Sequence, residues 1–487
     1  MQSTQTTERD KLIEATKDRP GEVVDILLEL KDRVKELEAR LKMNSGNSSM
    51  PPSTDGLRKP NGDQDDNDAP KPPKPKSERG KSGRNPGGQK GRKGSTLKKV
   101  DAPDKTEPLK LAECPKTGVQ LSDDDIVGHR TRQVFDIPSP RMMVTEYKAF
   151  TYKNPITGEL IETPFPDDVK APTQYGKDLK SLLVYLYDWH FIPNDRLVQL
   201  VDDLFGCRIS PATINAARKT CYSNLEDFEK RIDGLIKGSS VAHADETGFR
   251  VKSKLHWLHV ACTQTATKYY VHEKRGADAM DDAEIWLNFN GRLIHDCWKT
   301  YFGYDCEHGL CNAHVIRELR YIHENMGQDW AKKMIDLLYE MKGAADKFSK
   351  DGVWFTENDI NSYERRFKIF LTKGDNQNPY KPPIIKKKGR PKRTKPQNLI
   401  LRMRTYGDDF LAFLKDPDIP FTNNLAEQDV RMMKVQQKIS GCFRTLFGAQ
   451  IFARVRSYLS TLRKNGQGIL DGIRSAIAGQ VFLPKVT

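Results

Sequence analysis

Two short apolar stretches that each lead to an aspartate constrain this chain more than any other feature. The stretch 239–251 holds a strand-like run that ends at Asp245, and residues 291–296 repeat the pattern and end at Asp296. Small and β-branched residues suit a strand buried on both faces. A carboxylate in such a place is costly unless it is paired or binds a metal. The sequence therefore predicts two strands that each deliver an acid to a site.

The segments around the first acid predict the order of the strands. After a turn at Thr247-Gly248, residues 254–263 and 267–273 favour two more strands, joined by a short polar turn. A helical pattern covers residues 278–287, ahead of the strand that carries the second aspartate. The predicted order is three strands, a helix and a fourth strand, so that the two acids end neighbouring strands.

A third acid follows much later, at the start of a predicted helix. Residues 421–431 read FTNNLAEQDVR, in which Asn423 or Asn424 can cap a helix. Glu427 lies in the first turns of that helix. The sequence therefore offers three carboxylates on three different elements.

This order of strands and acids resembles the ribonuclease-H-like core of DDE transposases and integrases. Several short motifs are more specific than this order, because they resemble the transposase of the insertion-sequence-66 family. They are HADET, HDCWKTY, GLCNAH, PFTNNLAEQDVRMMKVQQKISGCFRT and, near the start, NSSMPPS and NPGGQKGRKG. The resemblance covers most of the chain. With the patterns below, it predicts an α/β ribonuclease-H-like catalytic core, a mixed five-stranded sheet with helices, that carries a helical insertion. A coiled coil, a disordered basic linker, a small β-rich unit and a helical domain precede this core.

The resemblance implies that Asp245, Asp296 and Glu427 are the catalytic residues and the ligands of Mg²⁺ or Mn²⁺. Phosphodiester cleavage without a covalent enzyme intermediate requires charge compensation on the attacking and leaving oxygens, which two ions about 3.5–4 Å apart supply. Mg²⁺ prefers hard oxygen ligands, so carboxylates from three elements suffice. The expected reactions are strand cleavage at the ends of an insertion sequence and strand transfer into target DNA. Two alternatives are open: a ribonuclease-H-like nuclease that cuts without joining, and a DNA-binding regulator with a silent core.

A cysteine and a histidine follow the second acid. Residues 307–314 favour a fifth short strand that enters a helix, and Cys311 and His314 stand three positions apart. In similar transposases such a pair orients the site or binds metal. Two ligands are only half of a tetrahedral zinc site, so packing is the alternative role.

The net charge of +14 is concentrated in two segments rich in Pro and Gly. Residues 71–100 hold eleven Lys and Arg against one Glu, and residues 381–396 hold eight against no acid. Such arms favour a polyanionic partner, and phosphate contacts add affinity but little sequence choice. Solvated charge runs are the alternative. Gly-Arg-Pro at 389–391 resembles an AT-hook for a narrow A·T minor groove, although a generic basic loop fits as well.

Four more cations follow the glutamate and suit phosphates beside the site. The candidate DNA-binding residues are Lys81, Arg84, Lys90, Arg92, Lys93, Arg390, Lys392, Arg393, Arg431, Lys434, Lys438 and Arg444.

The first hundred residues divide into a helix and a linker. Apolar residues at 23, 27, 30, 34, 37 and 41 follow the spacing of a coiled-coil seam, which predicts an N-terminal helix over 1–43 and a homo-oligomer. The seam spans under three heptads, so a helix that packs on its own chain is the alternative. Residues 44–100 have a composition that cannot build a core, which predicts a disordered linker.

Two small units are predicted next. Residues 101–172 favour a β-rich, degenerate zinc-ribbon-like unit with strands near 131–136, 142–152 and 159–163. The family often carries paired CxxC knuckles here, but this chain keeps only Cys114, so no structural zinc is expected in this unit. Residues 173–236 are helical by periodicity, with Ser210 and Pro211 starting a helix that either completes a helix-turn-helix or packs in a plain bundle.

The remainder divides into the first part of the core at 237–314, a mostly helical insertion at 315–420 that contains the basic loop 381–396, and the last part of the core at 421–487. The eight cysteines are scattered without a CxxC pair, which favours reduced thiols in a cytosolic protein. No run of about 18 apolar residues is present, so no membrane partner is expected. We expect a bacterial, nucleoid-associated protein whose partners are double-stranded DNA, namely element ends and target DNA, and accessory proteins of the same element.

Overall fold

The computed structural model describes residues 97–137, 140–380 and 393–485, and five positions of an N-terminal helix, Leu30, Lys31, Val34, Leu37 and Glu38. The chain divides into two compact units. The first comprises Met1–Pro75, Pro164–Gln199 and Ile209–Thr487, and the second comprises Lys76–Thr163 and Leu200–Arg208. The sheet that carries the predicted acids lies in the first unit.

A mixed five-stranded sheet forms the centre of the first unit. The strands of the chain are β1 (Thr151–Lys153), β2 (Leu160–Glu162), β3 (Val241–Val251), β4 (Lys254–Cys262), β5 (Thr267–His272), β6 (Arg292–His295) and β7 (Glu307–Leu310). The sheet order is β5-β4-β3-β6-β7. β3 pairs antiparallel with β4 and parallel with β6, and β6 pairs parallel with β7. The predicted mixed sheet of five strands is confirmed, and it is compatible with a ribonuclease-H-like core.

Helices precede the sheet, interrupt it and follow it. They are α1 (Lys177–Val184), α2 (Asn194–Phe205), α3 (Pro211–Asn224), α4 (Glu226–Lys237), α5 (Ala277–Asp282), α6 (Asn312–Met326), α7 (Asp329–Asp351), α8 (Glu357–Gln377), α9 (Lys395–Thr405), α10 (Gly407–Phe410), α11 (Ala412–Lys415), α12 (Asn424–Ser440), α13 (Leu446–Lys464) and α14 (Ile469–Ile477). A π-helical segment, Tyr185–Trp189, continues α1. The strand β7 runs directly into α6, as the sequence pattern predicts.

β3 is longer than predicted. The sequence placed Asp245 at the end of this strand and a turn at Thr247-Gly248, but the strand continues to Val251. Antiparallel pairing with β4 supports the whole extension, whereas parallel pairing with β6 covers only three residues. The turn lies instead at Lys252 and Ser253, which both have positive φ, 45° and 68°. Asp245 therefore lies within β3, just beyond the end of β6.

The second unit contains less regular structure than predicted. Its described sheet is one antiparallel pair, β1 with β2, of three residues each. The strand expected at 131–136 is wrong, and the strand expected at 142–152 is reduced to its last residues. Apolar side chains here are exposed: Val127 is 104% exposed, Met143 88% and Val144 90%. Without burial there is little to hold an extended chain in a sheet.

The helix α3 starts as predicted but packs inward. Ser210 precedes it, and its hydroxyl oxygen accepts a hydrogen bond of 3.2 Å from the backbone N–H of Thr213, with Pro211 as the first helical residue. Ile214 and Cys221 on one face are fully buried. One face of α3 therefore belongs to the core, and DNA reading by this helix stays a prediction.

α12 lies against β3 and β4 through an apolar face. Ala426, Val430 and Met433 follow helical spacing and pack in one buried cluster with Phe249 and Val260 of the sheet. Fully burying side chains of the size of Val and Met stabilises by about 1.5–3 kcal/mol each. This packing fixes the rotation of α12 and hence the direction of its remaining side chains.

The N-terminal seam is described at three of its positions. Leu30, Val34 and Leu37 are helical, and about half of each side chain is exposed. The coiled coil that would cover them stays a prediction. Among the helices that the structure describes, none is long and apolar enough to cross a membrane.

Candidate active site

The register of the parallel strands brings the two aspartates together. β3 pairs with β6 through His243 and Ile294, and Asp245 and Asp296 each follow that pair by two residues. Because parallel strands end at the same edge of a sheet, the two carboxyl groups meet at this edge. The backbone N–H of Trp298 donates a hydrogen bond of 3.0 Å to Asp296 Oδ1 and orients that carboxyl.

Cys311 occupies the same level on the next strand. β6 pairs with β7 through His295 and Leu310, and Asp296 and Cys311 each follow that pair by one residue. The backbone N–H of Cys311 donates to the carbonyl of His295 at 3.0 Å, which extends the ladder to this point. Cys311 is also the residue that precedes α6, so His314 lies in the first turn of that helix.

Glu427 reaches this edge from α12, which begins at Asn424 with Asn423 as its N-cap residue. The Asn423 side chain does not cap its own helix but bonds to β3: its Nδ2 donates to the carbonyl of Ala244 at 2.8 Å, and its Oδ1 lies 2.9 Å from His243 Nδ1. These bonds hold the first turn of α12 beside the residue that precedes Asp245. The sequence predicted the cap position but not these tertiary contacts, which join residues about 180 positions apart.

The electrostatics of the site reflect crowded carboxyl groups. Burial raises the pKa of Asp245 well above its usual value, and the neighbouring Glu246, Asp296 and Glu427 raise it further. Burial also raises the pKa of Asp296, although its backbone hydrogen bond and the nearby Arg275 oppose the shift. Like charges that are brought together out of water disfavour ionisation, and a bound divalent cation reverses that balance. The carboxyl oxygens of Asp245, Asp296 and Glu427 are hard donors from three elements, which suits Mg²⁺ or Mn²⁺.

Glu246 follows Asp245 in sequence but has different partners. Its carboxylate accepts hydrogen bonds from Arg275, at 2.6 Å and 2.9 Å, and from the hydroxyl of Tyr301, at 2.5 Å. Arg275 packs between the rings of Trp257 and Trp298, 5.0 Å and 4.3 Å from their centroids. The Arg275 side chain is 41% exposed, whereas that of Glu246 is 2% exposed. A buried acid thus fixes a partly exposed guanidinium at the rim of the site.

Sequence reasoning missed Arg275 and Tyr301. Nothing local marks them, because Arg275 is 29 positions from Glu246 and Tyr301 is 55 positions away. The HDCWKTY stretch was singled out for its wording, and it contains both Trp298 and Tyr301. Tyr301 of this stretch contacts Glu246 only because the fold brings the two residues together.

Cys311, His314 and Glu427 form one cluster. Cys311 Sγ lies 3.5 Å from Glu427 Oε1, and His314 Nδ1 lies 3.7 Å from the same oxygen. Possible ligand atoms of the three residues all lie within 4.8 Å of one another. The structure therefore joins the Cys/His pair to the predicted third acid, a neighbour that the sequence spacing did not reveal.

The cations that follow Glu427 form a row. Arg431, Lys434 and Lys438 come four, seven and eleven positions later on α12, which places them on the same helix face. The Lys434 ammonium donates to the carbonyl of Gly248 on β3, whereas Arg431 and Lys438 are exposed. Arg444, beyond the helix, is exposed too.

The other cationic candidates lie largely beyond the described structure. Arg393 is described, and its guanidinium lies 5.6 Å from the ring centroid of Tyr380. The candidates outside the described residues are Lys81, Arg84, Lys90, Arg92, Lys93, Arg390 and Lys392.

Comparison with known proteins gives two matches to protein families. The model of the transposase IS66 family matches residues 172–451, more than half of the chain. This range includes the three acids, Cys311 and His314. The model of a family of unknown function (DUF6444) matches residues 5–98. No curated protein matches the chain.

Proposed function

The chain belongs to the transposase IS66 family, and from that membership we propose that it binds the ends of an insertion sequence and performs metal-dependent strand cleavage and strand transfer. The observation that carries the proposal is the convergence of Asp245, Asp296 and Glu427 from β3, the end of β6 and the first turns of α12. The carboxyl groups of three separate elements would then act together on a phosphodiester at this edge of the sheet.

Asp245, Asp296 and Glu427 would hold Mg²⁺ or Mn²⁺, as two ions. When bound, such ions balance the charge on the attacking and leaving oxygens of a phosphodiester. The carboxyl groups must lose their protons to become ligands. Because the pKa values of Asp245 and Asp296 are raised, cation affinity should increase with pH.

Other residues of the chain position this site. Asn423 ties the start of α12 to β3, so that Glu427 keeps its distance from Asp245. Arg275, held by Glu246, presents positive charge beside Asp296 and suits a phosphate of a bound strand. The cations on α12 extend positive charge from Glu427 along the helix face.

The partners in this proposal are DNA and further copies of the chain. The exposed Arg431, Lys438 and Arg444, with the basic segments 71–100 and 381–396, would contact phosphates of element ends and target DNA. The N-terminal seam would join chains into an oligomer, and accessory proteins of the same element would assist. The protein would act in the bacterial cytoplasm, on nucleoid DNA.

The test of this proposal is a reaction with labelled duplexes that carry the terminal sequences of the element encoding this chain, together with a target plasmid and Mg²⁺. New 3′-hydroxyl ends followed by joined products are expected. Cleavage without joining in every condition would favour the nuclease instead. Binding without cleavage in either Mg²⁺ or Mn²⁺ would favour the regulator with a silent core.

A further inference from the structure

The cluster of Cys311, His314 and Glu427 has the dimensions of a metal site. Zinc binds sulfur at about 2.3 Å, imidazole nitrogen at about 2.0–2.1 Å and carboxylate oxygen at about 2.0–2.2 Å, so a tetrahedral arrangement separates these ligand atoms by about 3.3–3.6 Å. The sulfur to oxygen distance here is 3.5 Å and the nitrogen to oxygen distance is 3.7 Å. These two distances differ from the tetrahedral range by a few tenths of an ångström at most, and the ligand atoms of all three residues lie within 4.8 Å of one another.

The imidazole of His314 provides a second observation that points to a bound ion. His314 Nδ1 is buried and has no hydrogen-bond partner among the described residues. A buried polar atom of that kind is rare in folded proteins and calls for an explanation. A metal ion that takes up the lone pair of Nδ1 supplies one.

Burial and the neighbouring Glu427 raise the pKa of the Cys311 thiol, whereas the backbone N–H groups around it lower it. A bound cation deprotonates a thiol ligand outright. The Sγ of Cys311 accepts a hydrogen bond of 3.2 Å from the backbone N–H of Asn423, and the backbone N–H groups of Ala313 and His314 also interact with the sulfur. Cys311 thus lies at the N-termini of both α6 and α12. Hydrogen bonds from helix N-termini stabilise a thiolate, and such outer contacts orient metal ligands.

We propose that Cys311, His314 and Glu427 bind a zinc ion, with the fourth position open to water or to a ligand. A thiolate and an imidazole select zinc over Mg²⁺, which prefers oxygen ligands alone. Zinc would link the first turn of α6 to the first turns of α12 and fix the rotamer of Glu427 through Oε1. Glu427 would then serve both this zinc ion and the Mg²⁺ or Mn²⁺ at Asp245 and Asp296, and only this shared role rests on the proposed function.

The first test is the zinc content of the purified full-length chain after desalting, by elemental analysis. One zinc per chain is expected in the wild type and in Asp245→Asn, which changes only the other metal site. Cys311→Ser and His314→Gln should lose most of it. The matched controls Cys442→Ser and His129→Gln, both at exposed positions, should retain it. Zinc retained by both ligand variants would overturn the inference.

A second test uses only the wild-type chain, so its result does not depend on whether a variant folds. The wild-type chain is stripped with a chelator and titrated with Zn²⁺ or with Co²⁺, while Tm and absorption are followed. Binding to the native state should raise Tm, and Co²⁺ should give a thiolate charge-transfer band in the near ultraviolet. A stripped chain that shows neither change overturns the inference.

Failure of this inference and failure of the proposed function are separable on one preparation. A chain that cleaves element ends in Mg²⁺ but takes up neither Zn²⁺ nor Co²⁺ overturns the zinc site alone. A chain that binds one Zn²⁺ and never cleaves supports the zinc site and overturns the transposase chemistry.

Discussion

Replacing Arg275 should show how much its ion pair with Glu246, at the rim of the site, contributes to stability. Arg275→Ala leaves the buried carboxylate of Glu246 with the Tyr301 hydroxyl as its described side-chain partner. A buried hydrogen-bonding group that loses its partner costs about 1–3 kcal/mol, which is a lower bound for a charged group. We therefore expect the free energy of unfolding to fall by at least that amount in urea titration. The exposed control Arg132→Ala should change it little, and equal stability of the two variants would contradict the network described.

The pKa shifts of Asp245 and Asp296 predict how stability depends on pH. Both pKa values are raised in the folded chain, so the folded state holds protons that the unfolded state releases. Their contribution to stability is present below the ordinary aspartate pKa and is lost as pH rises through the raised values. A divalent cation should restore this contribution to stability at pH values above the raised pKa values.

We therefore expect Mg²⁺ to raise Tm more at about pH 8 than at about pH 5, because the carboxyl ligands are ionised at the higher pH. Thermal unfolding at both pH values measures this difference. The variant Asp245→Asn should show a smaller difference, since one titrating ligand is gone. A cation effect that is independent of pH, or equal in the variant, would contradict the assignment.

At the scale of elements, the sequence predicted the strands of the sheet well where local patterns decide them. Apolar runs separated by turns predicted the order of the strands along the chain, and the two aspartates lie side by side because β3 pairs with β6. The extension of β3 to Val251 was missed because its partner is β4, a tertiary contact that overrides the Thr247-Gly248 turn signal. The contact of Glu427 with Cys311 was missed because 116 positions separate them.

The row of cations on α12 carries a prediction at this scale. Arg431→Ala and Lys438→Ala should each weaken binding to any duplex and reduce the slope of log affinity against log salt by about one unit. Fluorescence anisotropy over a range of salt concentrations measures the slope. Lys368→Ala, on the exposed face of α8, is the control. A slope unchanged in both variants would mean that these side chains face solvent in the complex.

At the scale of the whole molecule, the helices and strands that the sequence predicted well are those that are buried in the core. Segments that pack on the sheet, such as α12 and α13, follow their periodicity. The unit around Cys114 was predicted with three strands, and its described residues form two short ones, because their apolar side chains are exposed and local β preference alone does not hold a strand. Single-sequence patterns do not tell which apolar residues find a core.

The basic segment 71–100 should affect the affinity of the whole chain for DNA rather than the cleavage reaction. Deleting it should weaken binding to every duplex and flatten the salt dependence, with little change in sequence preference. Binding isotherms for element-end and unrelated duplexes measure both effects. If the salt slope stays the same after deletion, the segment does not contact DNA.

The central claim is that Asp245, Asp296 and Glu427 form one cation-binding site that cleaves DNA, and its most direct test is strand cleavage by the full chain in Mg²⁺ after removal of each charge. Asp245→Asn, Asp296→Asn and Glu427→Gln should each lower cleavage by at least ~10²-fold, the scale for removing one stabiliser of transition-state charge. Binding to element ends should persist, and the exposed control Asp305→Asn should cleave like the wild type. Full cleavage activity in all three variants would contradict the account.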